Sequence, residues 1–149
     1  MTTILDFQNI ILNLTTLLES FTALEKEKLA AVTSKNLEAL NACIKKEQVE
    51  ILKLRGVDKK REEAQAALGY GTLTFQEIIA KLPAAQKEEV SRLYAVLQRA
   101  TAEFKAVNES VKTALDVNLH VINASLKNLG IDPETEQTTS GNNLKNKFA

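Results

Sequence analysis

The sequence predicts an all-α fold, an elongated antiparallel bundle of three long helices with a short inserted helix and a disordered C-terminal tail. Three observations support this prediction. Apolar residues recur three and four residues apart over most of the chain, which is the spacing of a helix that buries one side. They never alternate with period two for long, so no strand is expected. Glycine and proline, of which there are five and two, fall mainly at the junctions between the periodic segments.

The first helix is predicted over residues 3–32, with Thr3 and Asp6 as a capping box at its start. Its seam continues into a second apolar row on one side, which is typical of a helix with more than one neighbour. The seam and this second row comprise Ile4, Phe7, Ile11, Leu14, Leu18 and Phe21, and Ile10, Leu17 and Leu24. After the seam, the stretch "TSKN" offers Thr33 or Ser34 as the N-cap of the next helix.

The second helix is predicted over residues 35–68 and ends at the "GYG" stretch that begins with Gly69. Its outer face is charged, and its inner stripe comprises Leu37, Leu40, Ile44, Ile51 and Leu54. A short third helix is predicted over residues 75–82. Thr74 and Glu77 are spaced to form its capping box, and Pro83 ends it.

The fourth helix is predicted over residues 84–129, and at 1.5 Å per residue it would be about 70 Å long. Its core-facing stripe comprises Phe104, Val111, Leu115, Leu119, Ile122, Leu126 and Leu129. A shoulder beside this stripe comprises Val107, Ala114, Val117, Val121 and Ala124. Together the two rows cover an apolar arc of about 200°, twice the width of about 100° that one packing interface uses.

Two explanations of this wide arc stay open at this point. The fourth helix could lie between both other long helices, or its shoulder could receive an apolar helix of a partner. A first helix of about 30 residues cannot shield a last helix of about 46 residues at equal rise, which favours a free face on at least part of it. The candidate partner-binding residues are therefore Val107, Val111, Ala114, Val117, Leu119, Val121, Ala124 and Leu126.

The folded domain is predicted over residues 1–131, followed by a flexible polar tail over residues 132–149. The tail is too polar to bury enough surface to order itself. Its large apolar residues are Leu144 and Phe148, which are secondary candidates for anchoring a partner.

Composition excludes several classes of function. Nineteen basic and nineteen acidic side chains cancel, which argues against nucleic-acid binding, and no apolar run approaches the length of a membrane span. His120 is the only histidine and reads as an exposed helix residue, so no active site, metal or cofactor is expected. Cys43 is the only cysteine, and the stretch "MTTILDFQNIILNL" has no basic n-region and does not read as a secretory signal, so a cytoplasmic protein is expected.

The sequence resembles the FlgN family of flagellar export chaperones. The resemblance rests on "LTTLLESFTALEKEKLAAV" and on "KKEQVEILKLRGVDKKREEAQAALG", which contains Lys46, Glu47 and Arg61. It continues through the insert "TLTFQEIIAKLP" and a long last helix with Asn108, and so covers about residues 10–130. The family often has a second asparagine three residues after the first, where this chain has Val111.

The resemblance implies a cytoplasmic chaperone that holds the C-terminal segments of hook-associated proteins and delivers them to the flagellar type III export apparatus. The expected partners are then hook-associated proteins and export-apparatus components, without nucleic acid or membrane insertion, and with homo-oligomerisation left open. In the family, client binding is attributed to the C-terminal region, which corresponds here to the wide part of the last helix and to the tail. The alternatives are a structural coiled-coil adaptor or tether and an amphipathic lipid-surface binder. A polar arc of mixed charge argues against the lipid binder.

Overall fold

A computed structural model describes residues 1–130 of the chain, apart from the side chain of Ile122. This part contains four helices, α1 (Ile4–Thr33), α2 (Leu37–Ala67), α3 (Phe75–Lys81) and α4 (Ala84–Asn128). No strand occurs among these residues, and the predicted all-helical fold class is confirmed. Each helix begins and ends within two residues of its predicted position. The predicted tail, with Leu144 and Phe148, lies outside the described residues.

Local hydrogen bonds explain where the helices begin. Both predicted capping boxes are present, one between Thr3 and Asp6 and one between Thr74 and Glu77. In each box the threonine hydroxyl accepts a hydrogen bond from the backbone N–H of the acidic residue, at 3.2 Å. The same acidic side chain accepts a hydrogen bond from the threonine backbone N–H, so two N–H groups that lack helical partners are satisfied.

The predicted N-cap of the second helix is wrong, because Asn36 and not Thr33 or Ser34 occupies that position. The Asn36 side-chain oxygen accepts a hydrogen bond from the backbone N–H of Ala39 at 3.1 Å. The hydroxyls of Thr33 and Ser34 instead donate to backbone carbonyls in the last turn of α1, at 2.9 Å and 2.8 Å. Those two residues therefore complete α1, and Asn36 is the next residue with a side-chain oxygen that can cap α2.

The turn between α1 and α2 depends on Lys35, whose φ of 56° lies in the left-handed region. A residue with a Cβ atom is disfavoured there by about 1 kcal/mol. Replacing Lys35 by glycine is therefore expected to raise the free energy of unfolding by about 0.5–1 kcal/mol, after the larger entropy of glycine in the unfolded chain is included. Urea unfolding would measure the change. Lys35→Ala removes the same charge but keeps a Cβ atom. An equal gain in the free energy of unfolding from this variant would show that the lost charge is the cause and would contradict the backbone explanation.

Among the long helices, α1 is the one with two long neighbours. It packs along both α2 and α4, whereas within residues 1–130 no Cα atom of α2 lies within 8 Å of a Cα atom of α4. The short helix α3 packs on α4. The main core cluster comprises Phe7, Ile11, Leu14, Ala64, Ile78, Leu82, Val90, Leu93 and Leu97. The ring of Phe75 lies between those of Phe7 and Tyr94, with centroid distances of 5.8 Å and 4.9 Å, and joins α3 to the cluster.

The pairs of residues that meet show how the helices run. Along α1, Phe21 meets Phe104 and, further on, Val32 meets Asn118, so α1 and α4 run in the same direction. Along the other side of α1, Lys28 meets Glu47 across the short turn that links the helices, so α1 and α2 run in opposite directions. The explanation that the apolar arc of α4 is wide because this helix lies between both other long helices is therefore wrong. In the described part of the chain, that position belongs to α1.

Candidate partner-binding face of the last helix

The last helix extends beyond the end of its long neighbour. The Asn118 side-chain N–H donates to the backbone carbonyl of Val32 at 3.0 Å, which fixes Asn118 beside the last turn of α1. From there α4 continues to Asn128, which is about 15 Å further at 1.5 Å per residue. Because α1 ends at Thr33, it cannot cover the last turns of α4.

Exposure along α4 follows this difference in length. Val111 is 1% exposed and belongs to the core, whereas Val117 is 57% and Val121 48% exposed. Ala124 is also exposed. The half-buried members of the predicted set are Val107, Ala114, Leu119 and Leu126. The shoulder is thus partly covered beside α1 and opens towards the C-terminal end of the helix.

The three exposed members of the set, Val117, Val121 and Ala124, form what we call the outer face. At 100° per residue they lie within an arc of about 60°, so they point in nearly the same direction. The two valines are β-branched and lose little rotamer freedom when they are covered. Their exposed methyl groups offer apolar contact area and no acid, base or nucleophile. The face is therefore suited to covering an apolar segment rather than to chemistry.

A second feature was not expected from the sequence, a cluster of polar side chains inside the core. We call it the buried polar cluster, and it comprises Glu25 and Lys28 of α1, Glu47 of α2 and Asn108 of α4. The Lys28 ammonium lies 2.9 Å and 3.0 Å from the two carboxylate oxygens of Glu47. Asn108 donates a longer hydrogen bond of 3.4 Å to Oε2 of Glu25. Glu25 and Lys28 are both fully buried.

The sequence did contain a signal for this cluster. Glu25 and Lys28 continue the three-four spacing of the α1 seam after Phe21, at positions where an apolar residue is the rule. Glu47 likewise stands between Ile44 and Ile51 in the α2 stripe. Asn108 occupies the corresponding position in the α4 stripe, between Phe104 and Val111. Polar residues at seam positions of three helices indicate a buried polar contact.

The environment of Glu25 changes its acidity. The pKa of Glu25 is raised to about 7, first by burial and second by the nearby Glu47 carboxyl. Lys28 and the Asn108 amide act in the opposite direction but do not compensate. Oε1 of Glu25 is buried and receives no hydrogen bond from any donor. A carboxyl oxygen in this position is favoured in the protonated form, which can itself donate.

Other candidate sites find little support in residues 1–130. No group of three or more His, Cys, Asp or Glu side chains in this range is arranged to hold a metal ion. His120 is exposed on α4, as expected, and Cys43 is buried. None of the helices in this range combines the length and the hydropathy that crossing a membrane requires.

The described part of the chain is all helical, and its longest helix extends past its neighbour with apolar residues exposed. These features define a helical protein that offers a surface rather than an enclosed pocket. Its family can be stated more closely. The chain belongs to the FlgN protein family, which matches residues 1–142. This is a family of flagellar chaperones, and the resemblance seen in the sequence is confirmed. No curated protein and no solved structure gives a significant match.

Proposed function

We propose that this protein is a cytoplasmic export chaperone for the flagellar hook-associated proteins. It binds their C-terminal helical segments, prevents their premature assembly and delivers them to the flagellar type III export apparatus. The observation that carries the proposal is the extension of α4 beyond α1, which leaves Val117 and Val121 exposed. Membership of a flagellar chaperone family supports it.

The proposed arrangement divides the work between the helices. In this arrangement α1, which runs antiparallel to α2 and parallel to α4, forms the scaffold together with α2, and α4 carries the client. The client helix lies along the outer face and uses apolar residues at helical spacing. The half-buried residues Val107, Ala114, Leu119 and Leu126 extend the contact along the edge. Val111 is buried in the core and does not contact the client, so its assignment to the binding face is corrected. Leu144 and Phe148 of the tail are proposed as secondary anchors.

The size of the face suits a client that must be released. Covering the remaining exposed surface of Val117 and Val121 contributes about 1 kcal/mol for each side chain, since full burial of a valine contributes roughly 1.5–3 kcal/mol. Ordering the client segment opposes binding. Affinity is therefore expected to be moderate, which allows transfer to the export apparatus without a chemical step.

The test is the double variant Val117→Asp, Val121→Asp. Both side chains are about half exposed, so the charges are expected to leave the helical content and the melting temperature nearly unchanged. Against a client they would meet buried methyl groups, at a cost of a few kcal/mol in binding free energy. Calorimetry with a peptide that spans the C-terminal helical segment of a hook-associated protein of the same host would measure a loss of at least tenfold in affinity.

The chain offers a matched control on α1. Leu5 and Leu12 are 60% and 47% exposed, close to the values for the two valines, so Leu5→Asp, Leu12→Asp adds equal charge at equal exposure. This control is expected to keep client binding. A folded valine variant with unchanged affinity would refute the outer face as the client site and leave the tail anchors as the next candidates. A stable self-associated form that binds no client would favour the structural adaptor or tether instead.

A further inference from the structure

The buried polar cluster joins the three long helices at one level of the core, and its charges do not balance. Two carboxyl groups, Glu25 and Glu47, face one ammonium group, Lys28, so the cluster has a net charge of −1 when both acids are ionised. Such a charge is expensive to bury, whereas one bound proton makes the cluster neutral. A bundle with only apolar seams buries no charge and therefore needs no bound proton.

We propose that this cluster is a proton-operated lock between α1 and its two neighbours, in which Glu25 holds a proton while the helices are closed and gives it up to water when they open. The lock is a property of this chain alone and does not depend on the proposed client. It makes the closed state bind one more proton than the open state. By linkage, the closed state is then weakened when the proton concentration falls.

The geometry supports Glu25 as the group that carries the proton. Glu47 already receives Lys28 at 2.9 Å and 3.0 Å, so it is the better-stabilised carboxylate of the two. The hydrogen bond that Glu25 accepts from Asn108 through Oε2 is longer, at 3.4 Å. Its Oε1 has no donor, and the group beside it is the Glu47 carboxyl. A contact between two carboxyl groups is favourable when one of them is protonated and donates a hydrogen bond to the other.

The charged groups that face Glu25 come from two of the three helices. On α1 the facing charge is Lys28, and on α2 it is Glu47. On α4 the facing group is the neutral amide of Asn108. Lys105 and Glu109, which flank it, are exposed.

Two further charged groups, both lysines, lie close to the cluster in sequence. Lys112, one turn beyond Asn108, is half-buried, and Lys46 lies beside Glu47 on an exposed position of α2. The carboxylate of α4 next to Asn108 is Glu109, which is exposed to water and therefore does not take the proton in place of Glu25.

The direction of the pH effect follows from the raised pKa. In the folded chain Glu25 has a pKa of about 7, against an ordinary value of 4.5. Below pH 4.5 the acid is protonated whether the helices are closed or open, and the stability that depends on the proton is fully present. This stability is lost as the pH rises through about 7, because the open state gives up its proton first. The lock is therefore strongest below pH 4.5, weakens progressively between pH 4.5 and about 7, and stays weak above that.

The position of the lock decides which part of the molecule it would release. The main core cluster lies towards the N-terminal end of α1, whereas Glu25 and Lys28 lie in its last third. On α4, Asn108 precedes the outer face by about three turns. Opening at this level would therefore free the second half of α4 while the apolar cluster around Phe7 still holds the first half.

Two measurements on the full chain test the proposal. In carbon-13 nuclear magnetic resonance of the glutamate carboxyl groups, we expect one carboxyl of the wild type to titrate near pH 7. This titration uses the wild type, so it shows whether a buried carboxyl holds its proton to near pH 7 even if a substituted protein fails to fold. If every glutamate of the folded protein titrates below about pH 5.5, the proposal is overturned.

The second measurement uses the isosteric variant Glu25→Gln, which imitates the protonated acid, with Glu27→Gln at an exposed position of the same helix as its control. Between pH 5 and pH 8 the folding equilibrium of the wild type is expected to fall on the order of a hundredfold relative to that of Glu25→Gln. Glu27→Gln should follow the wild type. Hydrogen exchange of α4 amides, corrected for the intrinsic pH effect, should show the loss in its second half. Identical pH profiles for all three proteins would overturn the lock.

Discussion

Replacing Lys28 by alanine is expected to lower the free energy of unfolding by about 3–5 kcal/mol, the usual cost of breaking a buried ion pair. The Lys28 side chain is fully buried and its ammonium lies 2.9 Å from Glu47, whose side chain is 10% exposed. Without the cation, two carboxyl groups would face each other in the core with no compensating charge. Chemical denaturation at pH 7 would measure the change.

A matched control lies two residues away on the same helix. Lys26 forms an ion pair with Glu103 at 3.0 Å, a nearly equal distance, but both side chains are more than half exposed. Lys26→Ala is expected to change the free energy of unfolding by less than about 1 kcal/mol, because water screens the pair and replaces it. The comparison isolates burial as the cause. Similar small losses for both variants would show that water screens the Lys28–Glu47 pair as well, and would contradict burial as the cause.

Replacing Phe21 by alanine is expected to lower the free energy of unfolding by about 3–5 kcal/mol. Phe21 is 6% exposed, and its ring meets that of Phe104 edge to face, with a centroid distance of 4.8 Å. The change would leave a cavity in the contact between α1 and α4, next to the buried polar cluster. Thermal and urea unfolding would measure the loss, and Phe21→Leu, which keeps most of the volume, should lose less than about 1.5 kcal/mol.

Phe21→Ala also tests the division of labour between the helices. Phe21 belongs to the scaffold, so client affinity measured below the melting temperature should stay close to that of the wild type. If stability hardly changes while client binding is lost, the first helix is part of the binding surface, and the assignment of the site to α4 alone is wrong.

The sequence determined the features that depend on residues close together in the chain. The three-four spacing of apolar residues predicts the helices, because a helix that buries one side repeats every 3.6 residues. The two capping boxes were predictable because donor and acceptor are three residues apart. The N-cap at Asn36 was missed because Thr33, Ser34 and Asn36 are all good caps, and only the end of α1 decided which of them was free.

The choice of neighbours was decided by tertiary structure. Both α1 and α4 carry apolar arcs wider than one interface requires, and the pattern alone does not say which helix lies between two others. Leu37 shows the same limit, since it continues the α2 stripe but is 72% exposed at the start of that helix. A helical pattern states which residues share a side. It does not state whether another helix is present at that height.

The open end of α4 and the buried polar cluster have the same physical origin. The register of α4 on α1, fixed by contacts such as Phe21 with Phe104 and Val32 with Asn118, determines both. This register places Asn108 opposite Glu25, so polar residues of the two seams are covered by each other. It also places Val117 and Val121 at and beyond the end of α1, so these apolar residues are left exposed. The sequence by itself determined the polarity of each position, whereas burial depends on register, because only packing between helices removes a side chain from water.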